Sequence, residues 1–330
     1  MRNVLTLNHR ILAKIVAFFL LVVFLVLPVA NPVYLHILIM ALLYAYLGSC
    51  WNILSGYTGQ FSFGHTLFFG VGAYVSTILF VKLGISPWLG MWLGALLSMV
   101  ISLFIGFLCF RYGLKGPFFA LATLAFAEMF RIGANNLDIT NKASGILIPM
   151  TGTSITTFQF HEKGVYYGII IVFNVIIILI TFFIQRSRLG DYFEAIREDE
   201  EAAQSLGIDT FKYKLVALAI SAFLTALGGT FYAQYSLYLD PHICFGVGNS
   251  IEILIRPILG GIGTILGPVI GALCLAPVSE FAREVLRGWS GAYLIIFGVI
   301  LVVAILFLPD GIVGFVKKHF FQIKMEGEGR

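Results

Sequence analysis

Charge is scarce in this sequence. Only 12% of its 330 residues are Asp, Glu, Lys or Arg, and 59% are hydrophobic, whereas a soluble domain has about 25% charged and about 45–50% apolar residues. Twelve of the charged residues lie between Arg186 and Lys214, which leaves too few elsewhere for a solvated surface. The composition excludes a water-soluble enzyme. It predicts an all-α polytopic membrane protein, because helices satisfy their own backbone hydrogen bonds in lipid.

Motifs for catalysis and nucleotide binding are also missing. HExxH and GxSxG do not occur, and the four cysteines contain no CxxC pair. The phosphate-binding pattern GxxxxGKS/T is absent as well. We therefore expect a chain that is not an enzyme and that binds no metal or cofactor of its own. If its work requires ATP and Mg²⁺, other subunits must bind them.

The sequence does contain ten apolar runs bounded by Gly, Pro or charge, and these predict about ten transmembrane helices. With the N-terminus inside, the inner side receives fourteen Lys and Arg residues and the outer side six, so we expect both termini in the cytoplasm. Residues 250–282 are compatible with one broken hairpin or with two short spans. The predicted spans are 11–29, 33–54, 66–82, 88–110, 117–134, 165–185, 213–236, 250–262, 264–282 and 291–308.

The segment 186–212 is the only long polar stretch expected on the inner side. Asp191 is placed to cap a helix, Gly207 to end it and Asp209 to begin the next element. An apolar stripe, Phe193, Ile196, Ala203 and Leu206, recurs beside a charged face. We interpret the segment as a short helix outside the bilayer whose stripe docks on a partner. A solvated linker is the alternative.

Several stretches resemble one known family. Glu201–Gly207, EAAQSLG, matches the EAAxxxG core of the cytoplasmic coupling loop in ABC importer permeases. The longer stretch 190–209 resembles that loop in permeases of high-affinity branched-chain amino acid importers, the LivM type. Residues 52–74, 250–272 and 309–312 resemble further signatures of this family. The likeness extends over nearly the whole chain from about Leu47 onward.

The resemblance implies the ABC importer permease fold, with ten helices and an internal repeat, in a bacterial cytoplasmic (inner) membrane. Residues 1–330 would form one transmembrane domain, with 186–212 as the coupling loop and 315–330 as a cytoplasmic tail. The implied partners are a second homologous permease, two ABC ATPases that bind ATP and Mg²⁺, and an extracytoplasmic substrate-binding protein. No nucleic acid is implied. The ATPase-coupling residues would be Phe193, Glu194, Ile196, Arg197, Glu201, Ala202, Ala203, Leu206 and Gly207.

Polar residues within apolar runs are the candidates for the translocation pathway. Two breaks rich in glycine, at 57–65 and 260–267, interrupt the two halves of the chain and favour an internal repeat with the pathway between the halves. The pathway candidates are Tyr57, Thr58, Gln60, Ser62, His65 and Glu252. For His65 and Gln60, an interhelical hydrogen bond is the alternative.

Charged residues inside the membrane are expected to pair. Glu252 and Arg256 are four residues apart, and Glu128 and Arg131 are three apart, so each pair can form on one helix face. Contact with the solute is the alternative for all four.

Three glycines are expected to pack helices closely. Gly263, Gly267 and Gly271 have the GxxxG spacing of closely packed helices.

The leading hypothesis is an ABC importer permease for branched-chain amino acids or related small polar solutes. A permease for urea or short amides is an alternative with the same architecture. A stand-alone secondary transporter or channel driven by an ion gradient is the alternative from another class. It would require a titratable group in the membrane with no internal partner, and both acidic candidates have one nearby.

Overall fold

The computed structural model describes residues 32–150, 152, 154 and 156–285, together with 295, 298–299, 302–303, 306, 311–315 and 318. The predicted span 11–29 and most of 291–308 therefore lie outside the described residues. Within the described part, six helices are long and apolar enough to cross a membrane. They are α1 (Pro32–Ser55), α2 (His65–Leu83), α3 (Pro87–Arg111), α4 (Pro117–Asn136), α5 (Lys163–Gln185) and α8 (Thr210–Ser236).

Shorter elements join or follow these helices. The 250–282 region forms two helices joined by a turn, an arrangement that fits both a broken hairpin and two short spans. The remaining elements are two 3-10 helices (Asp138–Thr140 and Lys142–Ser144), β1 (Ile146–Leu147), α6 (Arg188–Glu198), α7 (Glu200–Ser205), β2 (Tyr238–Leu239), α9 (Pro241–Phe245), α10 (Val247–Gly260) and α11 (Gly267–Val285).

Proline and glycine set the helix boundaries at the α2–α3 connection. Gly84 ends α2 with a left-handed φ of 66°, and its N–H bonds to the carbonyls of the last turn. Pro87 then occupies the first turn of α3, where a missing N–H costs nothing. The connection is therefore short, and α2 and α3 run as neighbours.

Helix α1 lies at the centre of the described bundle. It contacts α5, α8, α10 and α11, and its residues from Ala41 to Ser55 are all buried. Helices α2 and α8 cross beside it at backbone distance, because Gly72 and Gly229 occupy the crossing. A Cβ atom on Gly229 would collide with the carbonyl oxygen of Phe69.

The connections gather at two opposite ends of the bundle. We call one end the coupling face; it contains residues 56–64, 112–116, 186–209 and 261–266. The other, the hairpin face, contains 84–86, 237–246 and the described residues of 137–162. There β1 pairs antiparallel with β2, with Ile146 opposite Leu239, and Trp88 stacks on Phe158 at 4.3 Å.

Candidate functional site

The polar segment of the coupling face forms two helices, so the expectation of one continuous helix is wrong. Asp199 has extended backbone (φ −157°) and separates α6 from α7. Its carboxylate oxygen accepts hydrogen bonds from the N–H groups of Glu201 and Ala202, at 2.9 and 3.0 Å, and so caps α7. Asp191, expected to be the cap, lies instead in the first turn of α6. The helix is therefore interrupted at Asp199.

The end of the segment follows the sequence-based expectation. Gly207 adopts a positive φ of 86°, which a residue with a side chain rarely adopts. Asp209 then caps α8 by accepting a hydrogen bond from the N–H of Lys212 at 3.0 Å. The chain therefore re-enters the bundle two residues after the glycine.

The apolar stripe faces this chain rather than a partner. Phe193, Ile196 and Ala203 are 0%, 3% and 2% exposed, and Phe193 belongs to the main hydrophobic core. The expectation that these three dock on another subunit is wrong, because the ends of the chain's own helices already cover them. Leu206, by contrast, is 82% exposed. The surface left for a partner consists of Leu206 and the exposed polar side of both helices, including Glu194, Glu201 and Ala202.

An ion cluster fastens α7 to the membrane helices. Oε1 of Glu200 lies 2.6 Å from Nζ of Lys214, near the start of α8, and Oε2 lies 3.6 Å from Nζ of Lys115, in the α3–α4 connection. Burial alone would raise the pKa of the Glu200 carboxyl, but the hydrogen bond and charge of Lys214, with Lys115, outweigh it and hold that pKa below its usual range. Gln204 adds a 2.7 Å hydrogen bond to Thr210.

A second contact joins α6 to both glycine-rich breaks. Nη1 of Arg197 donates to the carbonyl oxygen of Gly56 at 3.2 Å. Asn52 of α1 bonds to the backbone of the other break: its Oδ1 accepts from Gly263 N and its Nδ2 donates to Thr264 O, both at 2.9 Å. The coupling segment and the two breaks are therefore one hydrogen-bonded unit. Gln185, at the end of α5, donates to Gly263 O at 3.2 Å.

The pathway candidates of the first break are buried in this chain. Tyr57, Thr58, Gln60, Ser62 and His65 are each at most 7% exposed. Thr58 donates to the carbonyl of Leu54 at 2.6 Å. The amide of Gln60 lies 3.4 Å from Thr58 O, while Oε1 of Gln60 has no hydrogen-bond partner.

His65 bridges two helices. Its Nε2 lies 2.7 Å from the hydroxyl of Ser221 on α8, and its Nδ1 lies 3.3 Å from the hydroxyl of Ser62. Ser221 donates its own proton to the carbonyl of Cys50 at 2.6 Å, so Nε2–H of His65 is the donor to Ser221. This is the interhelical hydrogen bond that the sequence left open for His65.

The two ion pairs expected inside the membrane both form. Arg256 and Glu252 are each 2% exposed, with Nη2 3.2 Å from Oε2. The guanidinium of Arg256 also lies 3.8 Å from the ring centroid of Tyr44, a cation–π contact. On α4, Nε of Arg131 donates to Oε2 of Glu128 at 2.8 Å. Pairing reduces the cost of removing these charges from water.

The GxxxG glycines divide between two environments. Gly267 and Gly271 lie where α11 meets α10: a Cβ on Gly271 would collide with the carbonyl oxygen of Arg256, and one on Gly267 with that of Gly261. Gly263 lies in the turn between the helices with a φ of 75°. The expectation that Gly263 packs helices is therefore wrong, because its missing side chain makes room for Arg197.

Sequence reasoning missed Glu200 within the coupling face and four further residues that hold this face together. Asn52, Lys115, Gln185 and Lys214 make its hydrogen bonds or ion pairs. The amide of Asn52 in an apolar run was a usable signal, because a polar side chain there needs a partner. Among the described residues, no group of three His, Cys, Asp or Glu side chains could hold a metal ion.

Comparison with known proteins identifies a family over most of the chain. The family model described as "Branched-chain amino acid transport system / permease component" matches residues 33–305. The permease protein LivM of the high-affinity branched-chain amino acid transport system of Salmonella typhimurium is 29% identical over 296 residues, which cover 83% of this chain and 68% of the relative. The Escherichia coli LivM protein is 27% identical over 88% of this chain and 74% of its own length.

A second kind of permease is also similar to the chain. The permease protein LivH of Salmonella typhimurium is 26% identical over 291 residues, which cover 82% of this chain and 91% of the relative. No solved structure matches the chain.

Proposed function

The chain belongs to the family of branched-chain amino acid transport permease components, and we propose that it forms the translocation pathway for branched-chain amino acids in an ATP-driven importer. Its relatives are permease components over most of its length, so the chain is a multi-pass membrane permease subunit of an ABC importer. The solute is the part proposed, on the names of those relatives. Related small polar solutes, including urea and short amides, fit the same architecture.

The proposed complex contains a second homologous permease, two cytoplasmic ATPases carrying ATP and Mg²⁺, and an extracytoplasmic binding protein. Similarity to both LivM and LivH supports a second permease of the same family. The lack of a phosphate-binding loop in the sequence supports separate ATPases. A gradient-driven transporter working alone has no support from these relatives.

The proposed fold has ten membrane helices, an internal repeat and both termini in the cytoplasm. Six long helices, the pair α10 and α11, and the predicted spans 11–29 and 291–308 add up to ten. The coupling face contains Lys115, Arg186, Arg188 and Arg197, whereas the described residues of the hairpin face contain one Lys or Arg, Lys142. This bias supports placing the coupling face in the cytoplasm.

The observation that carries the coupling proposal is that α6 and α7 bury one set of side chains against this chain and expose another. Phe193, Ile196 and Ala203 are buried against this chain. Glu194, Glu201 and Leu206, the residue after α7, face outward. Closure of an ATPase dimer against the outward side would move both helices together with the helix ends that hold them. The bundle would then alternate between outward and inward access.

The pathway proposal concerns the polar residues beside the two breaks: Tyr57, Thr58, Gln60, Ser62, His65 and Glu252. Support comes from the interruption of helical structure at 56–64 and 261–266, since broken helices in membranes occur where backbone lines a cavity or is buried in protein. Displacement of either break would expose these side chains to a solute.

Reconstitution of the purified complex tests the function. The tagged chain is extracted in mild detergent with its bound subunits, identified by mass spectrometry, and placed in vesicles with its binding protein. We expect uptake of leucine, isoleucine or valine that requires ATP on the ATPase side. Uptake that follows an ion gradient and ignores ATP would contradict the proposal.

A matched pair of variants tests the docking surface. Leu206 and Leu147 are both exposed, at 82% and 74%, but lie on opposite faces. Leu206→Asp should reduce co-purification of the ATPases, because a charge replaces an apolar contact at the interface. Leu147→Asp should leave their recovery unchanged. Equal recovery of the ATPases with both variants would remove Leu206 from the interface.

A further inference from the structure

Arg197 is a side chain of the coupling segment that lies against both glycine-rich breaks. It lies in the last turn of α6, and about a third of its side chain is exposed (35%). Its Nη1 donates to the carbonyl oxygen of Gly56. That carbonyl follows the last residue of α1, where the helix presents unpaired carbonyls and a partial negative charge. The positively charged guanidinium of Arg197 is stabilised there, because it donates a hydrogen bond to a negatively polarised helix end.

Glycine is required where the Arg197 side chain passes the breaks. Gly59 has a φ of 70°, and a Cβ there would lie 3.2 Å from Cγ of Arg197. Gly263 has a φ of 75°, and a Cβ there would lie 2.7 Å from Nη1 and 3.2 Å from Gly56 O. Two left-handed glycines, from opposite halves of the chain, thus flank the Arg197 side chain: Gly59 lies at its stem and Gly263 at its guanidinium. We call Gly56, Gly59, Arg197 and Gly263 the arginine joint.

Asn52 makes the two breaks a single body on the membrane side of the joint. Its amide holds the backbone of Gly263 and Thr264, and a Cβ on Gly56 would collide with its Oδ1. The end of α1 and the α10–α11 turn therefore move together. Arg197 is the contact that connects this body to α6.

The other edge of the guanidinium faces acidic side chains. Nη2 of Arg197 lies 2.9 Å from Glu198 and 3.9 Å from Glu194. Both carboxylates are mostly exposed, 69% and 72%, so these ion pairs add little stability in water. The hydrogen bond to Gly56 is the contact that ties Arg197 to the bundle.

We propose that Arg197 is the positioning residue that transmits displacement of α6 to the two breaks of the pathway, through its hydrogen bond to Gly56 and its contacts with Gly59 and Gly263. This role rests on the proposed coupling function. It assigns transmission to a polar contact at the rim of the segment, whereas the buried side chains Phe193 and Ile196 hold α6 in place. Without the guanidinium, α6 would move while the breaks stayed behind.

The test compares Arg197→Met with Lys82→Met in the reconstituted complex. Methionine keeps much of the apolar stem but cannot donate to Gly56, and Lys82 is an exposed basic residue in the last turn of α2, next to the hairpin face. We expect Arg197→Met to hydrolyse ATP while the number of leucine molecules imported per ATP falls about five-fold or more. Lys82→Met should retain the wild-type ratio, and Arg197→Lys should recover part of it. An unchanged ratio in Arg197→Met would overturn the inference.

Two glycine variants test the same proposal without changing Arg197. Gly263→Ala and Gly113→Ala both put a side chain on a positive-φ residue, 75° and 68°, but only the first meets Arg197; no atom lies within 4 Å of the second. We expect uptake per ATP to fall in Gly263→Ala alone. Equal ratios in the two variants, at equal assembly, would contradict the role of Arg197. If wild-type vesicles show no ATP-dependent uptake at all, it is the importer function itself that fails.

Discussion

Lys214 and Glu200 form an ion pair between residues fourteen positions apart, with 2.6 Å between Nζ and Oε1. Only 4% of the Lys214 side chain and 13% of the Glu200 side chain are exposed. Lys214 lies in the second turn of the longest described helix, and its ammonium group also lies 4.9 Å from the ring centroid of Phe110. The pair therefore fixes the coupling segment to a membrane helix at a point that water scarcely reaches.

Removal of one partner should destabilise this attachment more than removal of both. Glu200→Gln leaves the buried ammonium of Lys214 without its anion, at a cost of about 3 kcal/mol, the lower end for a broken buried pair. Adding Lys214→Met should recover more than half of that loss, because no buried charge remains. Unfolding in detergent and the rate of trypsin cleavage within 186–209 measure the effect. Simple addition of the two single losses would show that the residues do not interact.

Acid should loosen the segment through the same carboxylate. The folded pKa of Glu200 is below its usual value, so its contribution is complete above the unfolded pKa of about 4.3 and is lost as pH falls through the lower folded value. We expect pepsin to cleave 186–209 faster as pH falls below about 4.3. In Glu200→Gln, cleavage should already be fast at the top of this range and should change less with pH. A parallel pH profile in both proteins would assign the effect to another group.

Ala203→Glu should uncouple transport without removing the protein from the membrane. Ala203 is 2% exposed, and a buried carboxylate with no partner is costly, so α7 has to shift from its place on the bundle. The membrane helices do not depend on this position. Uptake of leucine and the amount of protein in the membrane are measured together. Normal uptake by a well-expressed variant would contradict this role for α7.

The crossing of α2 and α8 should not tolerate a single added methyl group. Gly229→Ala places a Cβ against the carbonyl oxygen of Phe69, and overpacking of this kind typically costs about 1–3 kcal/mol. Gly133, a glycine within α4, has no atom within 4 Å of the point where a Cβ would lie, so Gly133→Ala should be neutral or stabilising. Melting temperatures in detergent compare the two variants. Equal melting temperatures would show that α2 and α8 can separate freely.

The sequence predicted the long helices because apolar length is the dominant constraint on a membrane span. The run 33–54 became Pro32–Ser55, and 165–185 became Lys163–Gln185, each within two residues. The end of the polar segment at Gly207 and the cap of the next helix at Asp209 also followed from the residue types. The break at Asp199 was not predicted. The extended backbone of this residue, whose side chain caps α7, divides the expected single helix in two.

The direction of the apolar stripe shows why the rest could not be predicted. Helical spacing identified Phe193 and Ile196 as members of an apolar face, but spacing carries no information about which surface covers that face. The bundle of this chain covers them, and a partner surface could have produced the same pattern. The ion pair of Lys214 could not be predicted either. From the sequence, Lys214 is one of several charged residues expected outside the membrane, and nothing in the spacing indicates that Glu200, fourteen residues earlier, is its partner.

The glycine contacts between α10 and α11 leave no layer of side chains between the two backbones. A Cβ on Gly260 would collide with Gly267, and one on Gly271 with Arg256. Such surfaces have no room to repack, so the pair must tilt as a single piece. Glu252 lies nine residues before the turn, about 13 Å along the helix. A rotation of a few degrees at the turn would therefore carry Glu252 sideways, so the position of this buried carboxylate depends on the orientation of a turn at the far end of its helix.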